Sequence, residues 1–455
     1  MTAREGEGSS RRGFLTGAAG LAAAGIGFGS GRTARAAAEE ATANGPEAAG
    51  KTAAESFWGA HQAGILTSPQ SHSYFAVFDL AATRRGDVVE LLKAWTEAAA
   101  RMAEGKTAQP FGDGLQPALA PQGGSKSQGG GYDTPAATAM AADTGEVLGL
   151  PPERLTVTFG FGAGLFVRDG KDRFGLAARR PAALVAMPRF VGDELAEGHT
   201  GGDLSVHACA DDPQVAFHAV RQLARIAAGI AKIRWVQTGF LPHQVGDEPP
   251  RNLMGFKDGM VNPATGDPKA MNEFVWVGQE GPVWMTGGSY MVARRIRIAI
   301  EHWDRMKVAF QEQTIGRHKI SGAPLGETSE RAPLDLAATD KDGNPIIPAN
   351  AHIRLAAPAT NGGAQILRRS YSYNDGVDFT AERWPPWRQG LEYDAGLLFI
   401  CYQRDPRTGF IRIFERVAKF DTMNQFVTHV GSGLFACPPG AAPGGFVGQR
   451  LFEMV

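Results

Sequence analysis

Three short stretches of this 455-residue chain hold residue types able to do chemistry. MGFKDGMVNP (254–263) sets Asp258 between Gly255 and Gly259 and follows it with Asn262-Pro263. The glycines free the backbone from the usual φ limits and the Asn-Pro pair forces a turn or an extended exit, so this is a loop that fixes one carboxylate. NAHIRLAAP (350–358) carries His352, and ILRRSYSYNDG (366–376) carries Arg368 and Arg369. A placed carboxylate can move a proton, an arginine can hold developing negative charge, and an imidazole can ligate a metal. Each also has an ordinary reading: a hydrogen-bonded core histidine, an arginine pair covering a surface, an Asx-turn aspartate. Spacing alone does not choose between them.

The elements that must position these residues read as α+β. SYFAVFDL (73–80) reads as a buried strand, and 87–103 as a helix with Val88, Leu91, Trp95, Ala98 and Met102 on one face. Strands follow over 154–162 and 203–210, a helix over 212–230 and a strand over 233–241. This is the β-α-β-β-α-β order of a ferredoxin-like unit. The second half is expected to repeat it: strands over 274–279 and 288–299, a helix near 302–315, a strand over 395–403, a helix near 421–430 and a strand over 433–439. Between them lies an insertion, 316–394, too long for a plain connector. The expected domains are 56–245 and 246–455, with the site in the second.

The net charge is −1 and 43% of residues are hydrophobic, as in ordinary globular proteins, and the basic footprint of a nucleic-acid binder is missing. Cys209, Cys401 and Cys437 are far apart and odd in number, so they read as buried free thiols. No Cys-x-x-Cys occurs, which removes a zinc ribbon and a covalent c-type haem attachment. At the N-terminus, Arg11-Arg12 precedes a weakly apolar Gly/Ala run and alternative A-x-A sites at Ala34–Ala38. Residues 1–38 therefore read as a twin-arginine (Tat) signal peptide, which implies the Tat export machinery as a partner and an extracellular, cell-envelope or periplasmic location. Residues 39–55 read as a disordered lead-in.

GFKDG, HIRLAAP and LRRSYSY, in this order, resemble the dye-decolourising (Dyp-type) haem peroxidase family, and the export signal resembles its A-type branch. The likeness extends through SPQSHSYFAVFDL, ADDPQVAFHAVRQLAR, GRHKISGAPLG and HVGSGLFACPPG, and so covers residues 60–455. It implies two tandem ferredoxin-like units forming a β-sandwich flanked by helices, with one non-covalent haem b in the C-terminal half. It implies His352 as the proximal iron ligand. Asp258 and Arg368 become the distal catalytic pair, with Arg368 preferred to Arg369. Gly259, Asn262 and Arg317 become further haem-side residues. The implied activity is reduction of hydrogen peroxide with oxidation of dyes, phenols or small metal complexes as electron donors. The alternative is an exported haem-handling, deferrochelatase-like protein that frees iron from haem. The oligomeric state is left open. Gln425 stands where the resemblance leads one to expect an acid beside the proximal histidine, so a weaker push on the iron is expected. Trp384, Trp387, Tyr371, Tyr373 and Tyr393 are candidates for a surface radical that oxidises bulky dyes.

Overall fold

The structure, a computed structural model, describes residues 54–110, 142–242, 249–381 and 389–453. The twin-arginine segment, Trp384 and Trp387 lie outside the described residues. In chain order the main elements of the first half are β1 (His72–Leu80), α1 (Arg85–Ala103), β2 (Thr156–Gly162), β3 (Leu204–Ala210), α2 (Pro213–Ile226) and β4 (Ala231–Phe240). The β-α-β-β-α-β reading therefore holds. On α1, the apolar residues at helical spacing, with Leu92 and Ala99, form the buried face. On α2, Pro213 occupies the first turn, and the Asp212 carboxylate accepts from the Gln214 and Val215 N–H groups at 2.7 and 3.1 Å. Trp95 of α1 donates its Nε1–H to the Leu223 carbonyl of α2 at 2.8 Å, which joins the two helices.

The second half contains α3 (Pro268–Phe274), β5 (Ser289–Ile298), α4 (Ile300–Asp304), α5 (Val308–Ile315), α6 (His352–Ala356), β6 (Leu367–Arg368), β7 (Tyr371–Ala381), β8 (Gln389–Gln403), α7 (Phe410–Phe420) and β9 (Val427–Cys437). Three expectations fail here. Residues 274–279 form no strand; α3, capped by Asp267 and started by Pro268, runs up to this stretch and ends at Phe274. The helix expected near 421–430 lies earlier, as α7. Asp421 instead caps one 3-10 turn, and the β-branched run after it enters β9. The insertion expected over 316–394 carries β6, β7 and the first residues of β8, with Asn374-Asp375-Gly376 an irregularity inside β7.

All nine strands belong to one sheet in the order β5-β9-β2-β3-β1-β4-β7-β8-β6, and β8 also pairs with β5. Every strand except β6 thus lies in a closed ring. Within it the first-half strands run β2-β3-β1-β4 and the second-half strands run β9-β5-β8-β7. Two narrow seams join these groups: Phe161–Ala436 and Gly162–Phe435 between β2 and β9, and Phe240–Ser372 between β4 and β7. Inside the ring Phe75, Val77, Met291, Leu398, Ile400, Tyr402 and Phe435 form one apolar layer. Outside it α1, α2 and α7 cover the sheet with a second, larger core. Each fully buried Leu or Phe in these layers contributes roughly 1.5–3 kcal/mol.

Candidate active site

The Gly-framed loop does fix its carboxylate. Gly255 and Gly259 have φ of +85° and +78°, a region that suits glycine. The Asp258 N–H donates to the Pro250 carbonyl at 2.8 Å, and the Gly259 N–H donates to Asp258 Oδ1 at 2.6 Å. Lys257 is ion-paired with Glu330 of the insertion, which ties the loop from its other side.

Arg368 meets this carboxylate. Its Nη1 lies 3.3 Å from Asp258 Oδ1, and both side chains are about a quarter exposed, at 26% and 29%. Asn262 holds the arginine by its main chain. Asn262 Nδ2 donates to the Arg368 carbonyl at 2.8 Å, and Asn262 Oδ1 accepts the Arg368 N–H at 3.1 Å and Nε–H at 3.4 Å. The Asn-Pro exit of the loop therefore sets the register of the strand that carries the arginine. Arg369 leaves β6 on the other face and makes no contact with Asp258. Arg317 is buried, and its Nη1 donates to the Gly322 and Glu330 carbonyls at 2.7 and 3.2 Å. Burial and then the charge of Arg368 lower its pKa, so the two guanidinium groups share one electrostatic neighbourhood.

His352 opens α6, and its Nδ1 lies 2.6 Å from Asp421 Oδ2. The Asp421 carboxylate is fully buried and also accepts from the Met423 N–H at 2.8 Å. Burial, the largest influence, lowers the His352 pKa, but the Asp421 charge and hydrogen bond outweigh it and the net direction is upward. The charges of Arg368 and Asp258 also act on His352, so the three motif residues converge on one region. The imidazole is 28% exposed, and among the described residues no hydrogen bond occupies its Nε2.

Asp421 is the acid that sequence reasoning missed, and it corrects the reading of Gln425. Gln425 is exposed and lines a cavity of about 250 Å³ with Arg297, Glu392 and Asp394. A carboxylate beside His352 is present, four residues earlier. Its sequence signal was the capping aspartate directly after the amphipathic helix α7. The aromatic candidates divide as well. Tyr371 and Tyr373 are fully buried and cannot be surface exits, whereas Tyr393 is 49% exposed.

The family model for the N-terminal part of Dyp-type peroxidases matches residues 62–241, and that for the C-terminal part matches residues 249–442. The chain belongs to the Dyp-type peroxidase family. It is 37% identical to a dye-decolorizing peroxidase of Thermobifida fusca, over 99% of this chain and 98% of the relative. A deferrochelatase of Yersinia pseudotuberculosis is 34% identical over 87% and 84%. Among solved structures, DtpA of Streptomyces lividans is 37% identical with a TM-score of 0.75, covering 89% of this chain and 98% of that one. As a Dyp-type peroxidase, the protein is a haem-dependent enzyme that uses hydrogen peroxide and an electron donor. The residues present fit that cofactor: an imidazole fixed at Nδ1 by a carboxylate and free at Nε2 is the donor a haem iron takes.

Proposed function

We propose that His352, Asp258 and Arg368 divide the peroxidase reaction between them. The observation that carries this is the Asp258–Arg368 pair, clamped by Asn262, within electrostatic reach of a histidine whose Nδ1 is already occupied. Haem b, when bound, supplies the iron that receives peroxide and stores two oxidising equivalents. His352 would hold that iron through Nε2, and Asp421 would keep the imidazole oriented and electron-rich. Asp258 takes a proton from the near oxygen of peroxide and returns it to the leaving oxygen. Arg368 is permanently cationic and stabilises the negative charge that builds there. The Gly259 N–H holds the Asp258 carboxylate in place, and Arg317 provides positive charge suited to a haem propionate.

The test is the absorption spectrum of the haem-loaded protein mixed with one equivalent of peroxide. A Soret band that shifts within the mixing time is expected. Asp258→Ala should slow that shift by about 10²–10⁴-fold, the usual worth of a positioned acid–base group. Arg368→Ala should slow it by about 10²–10³-fold, as for loss of one preorganised donor. A stable band indifferent to peroxide would favour the haem-handling reading, which the 34% identity to a deferrochelatase supports.

A dye too bulky to reach the Asp258–Arg368 pair would need an electron exit at the surface, and exposed Tyr393 is the described candidate. Tyr393→Phe should lower dye turnover and leave the peroxide step unchanged. Export by the twin-arginine pathway is proposed from residues 1–38. Duplication of a ferredoxin-like unit into a β-sandwich is proposed too. The β2-β3-β1-β4 and β9-β5-β8-β7 orders support it, since each reads second, third, first, fourth or its reverse within its own half.

A further inference from the structure

The inner face of the ring changes character at one end. Along β5 the residues facing in include Met291 and Ala293, and along β8 Leu398 and Ile400, all in the apolar layer. By the strand period of two, the same faces carry Arg295 and Arg297 on β5 and Asp394 and Glu392 on β8. These four, with Glu194 and Asp378, line the cavity of about 250 Å³ that Gln425 also borders. Two strand irregularities shape it. Val430 is the extra residue of β9 opposite Arg295–Ile296, and Asp375 and Gly376 of β7 together oppose Asp394. Bulges recur at the rims of barrels and beside binding sites because they re-aim side chains. After these two, Val430 and Thr428 on β9 and Asp378 and Thr380 on β7 line the cavity. The β7–β8 arm is the reverse of an ordinary surface hairpin: its polar face turns in, and Val377, Phe379 and Leu391 are exposed outside.

Charge does not balance in this cavity. Arg295 Nη2 lies 3.0 Å from Asp375 Oδ2 and 2.7 Å from Asp394 Oδ2, and Arg297 Nη2 lies 3.2 Å from Glu392 Oε2. Both guanidinium groups are thus taken. The walls hold four carboxylates against two guanidinium groups, an excess of two negative charges. Among the described residues no cation pairs with Asp378, and the buried Asp394 Oδ1 has no hydrogen-bond partner. A second orphaned group lies beneath. Tyr373 is fully buried, its hydroxyl has no partner among the described residues, and the Arg295 guanidinium sits 4.6 Å from the centre of its ring. Leaving a buried acceptor unpaired is costly, and more so for a charged one.

We propose that this mouth of the ring binds a small, flat organic cation that carries N–H groups, of the arylamidine or arylalkylamine class. The cation supplies the charge that the two arginines do not, and its N–H groups give Asp394 Oδ1 the donor it lacks. Ala299, Phe426 and half-buried His302, whose ring packs on Phe426 at 4.8 Å, give the flat body a wall. The cavity is smaller than a pocket for a drug-sized molecule, so the ligand is a single ring with a short substituent. An anion would meet the carboxylates, and a neutral molecule of the same shape would leave their charge uncompensated. The cavity shares no lining residue with the contacts of Asp258, Arg368 and His352, so binding there does not depend on haem.

The test titrates haem-loaded protein with benzamidine by calorimetry, and with benzamide and benzoate as the neutral and anionic molecules of the same shape. One benzamidine per chain should bind saturably, benzamide about tenfold more weakly, and benzoate not at all. The Soret band should stay unmoved at saturation. Asp394→Asn should weaken benzamidine binding about tenfold and leave the peroxide shift of the Soret band unchanged. Thr380→Trp fills the cavity from an exposed position without replacing a charged group, and should abolish binding. It decides the matter should Asp394→Asn fail to fold. No saturable binding, benzamide binding as tightly as benzamidine, or binding that survives Thr380→Trp would overturn the proposal. So would a Soret band that shifts with benzamidine, since the ligand would then sit at the haem. The Soret band and its peroxide shift are recorded before the titration, so failure of the haem-site reading is seen separately.

Discussion

At the scale of single residues, His352 and Asp421 make the sharpest prediction. Asp421→Asn keeps the size of the side chain and removes the charge beside His352 Nδ1. Haem affinity or activity should fall about 10–100-fold, as is usual for the carboxylate behind a histidine ligand, and the ferric/ferrous potential should rise. Gln425→Glu should leave that potential unchanged, since Gln425 faces a different cavity. Spectroelectrochemistry of the two variants checks both statements. Asp258, His352 and Arg368 were legible because each sits in a short motif whose neighbours are diagnostic as a set. Asp421 was not, because it acts across 69 residues of chain and its local sequence says only that a helix has ended. The choice between Arg368 and Arg369 was legible from the resemblance. Its physical reason, the opposite directions of neighbouring side chains on an extended segment that starts in β6, needed the structure.

At the scale of elements, the segment before β2 is held to α2 by charge. His218 of α2 lies 3.3 Å from Asp143 Oδ2 and 3.1 Å from Glu146 Oε1, and Arg221 Nη1 lies 3.2 Å from the same Glu146 oxygen. Burial alone would raise the pKa of Asp143, but hydrogen bonds from His218 and from the Ala108 and Gly145 N–H groups bring it from 3.8 down to about 2. Burial lowers the pKa of His218, and the two carboxylates more than reverse this, so its folded value is above 6.5. The signs differ. The Asp143 contribution to stability is complete above 3.8 and is lost as pH falls through about 2. The His218 contribution is complete below 6.5 and is lost as pH rises through its raised value. Thermal unfolding against pH should therefore weaken at both ends, and His218→Gln should flatten the alkaline limb. Helices α1 and α2 and their strands were readable from apolar spacing, because each has one buried face. Strand β7 was not, since its Asn-Asp-Gly interruption has the composition of a turn and only pairing with β8 makes it a strand.

At the scale of the whole molecule, the two four-stranded groups are broad within themselves and meet at narrow seams. The β4–β7 seam is one residue pair and the β2–β9 seam is two, against ten pairs between β5 and β9. Amide hydrogen exchange should accordingly be faster at Phe240 and Ser372 than at the centre of β5, and equal protection would contradict this. Haem touches the folded state only, so a hundredfold excess over its dissociation constant should add about 2.7 kcal/mol of stability. The closed ring has a further consequence for handling the protein. A closed sheet offers no row of unpaired N–H and C=O groups to a neighbouring chain. Once a seam parts, the two strands it joined, β2 and β9 or β4 and β7, become sticky edges. Aggregation should thus begin abruptly, at the temperature where the ring opens, and well before the two halves lose their own helices and strands.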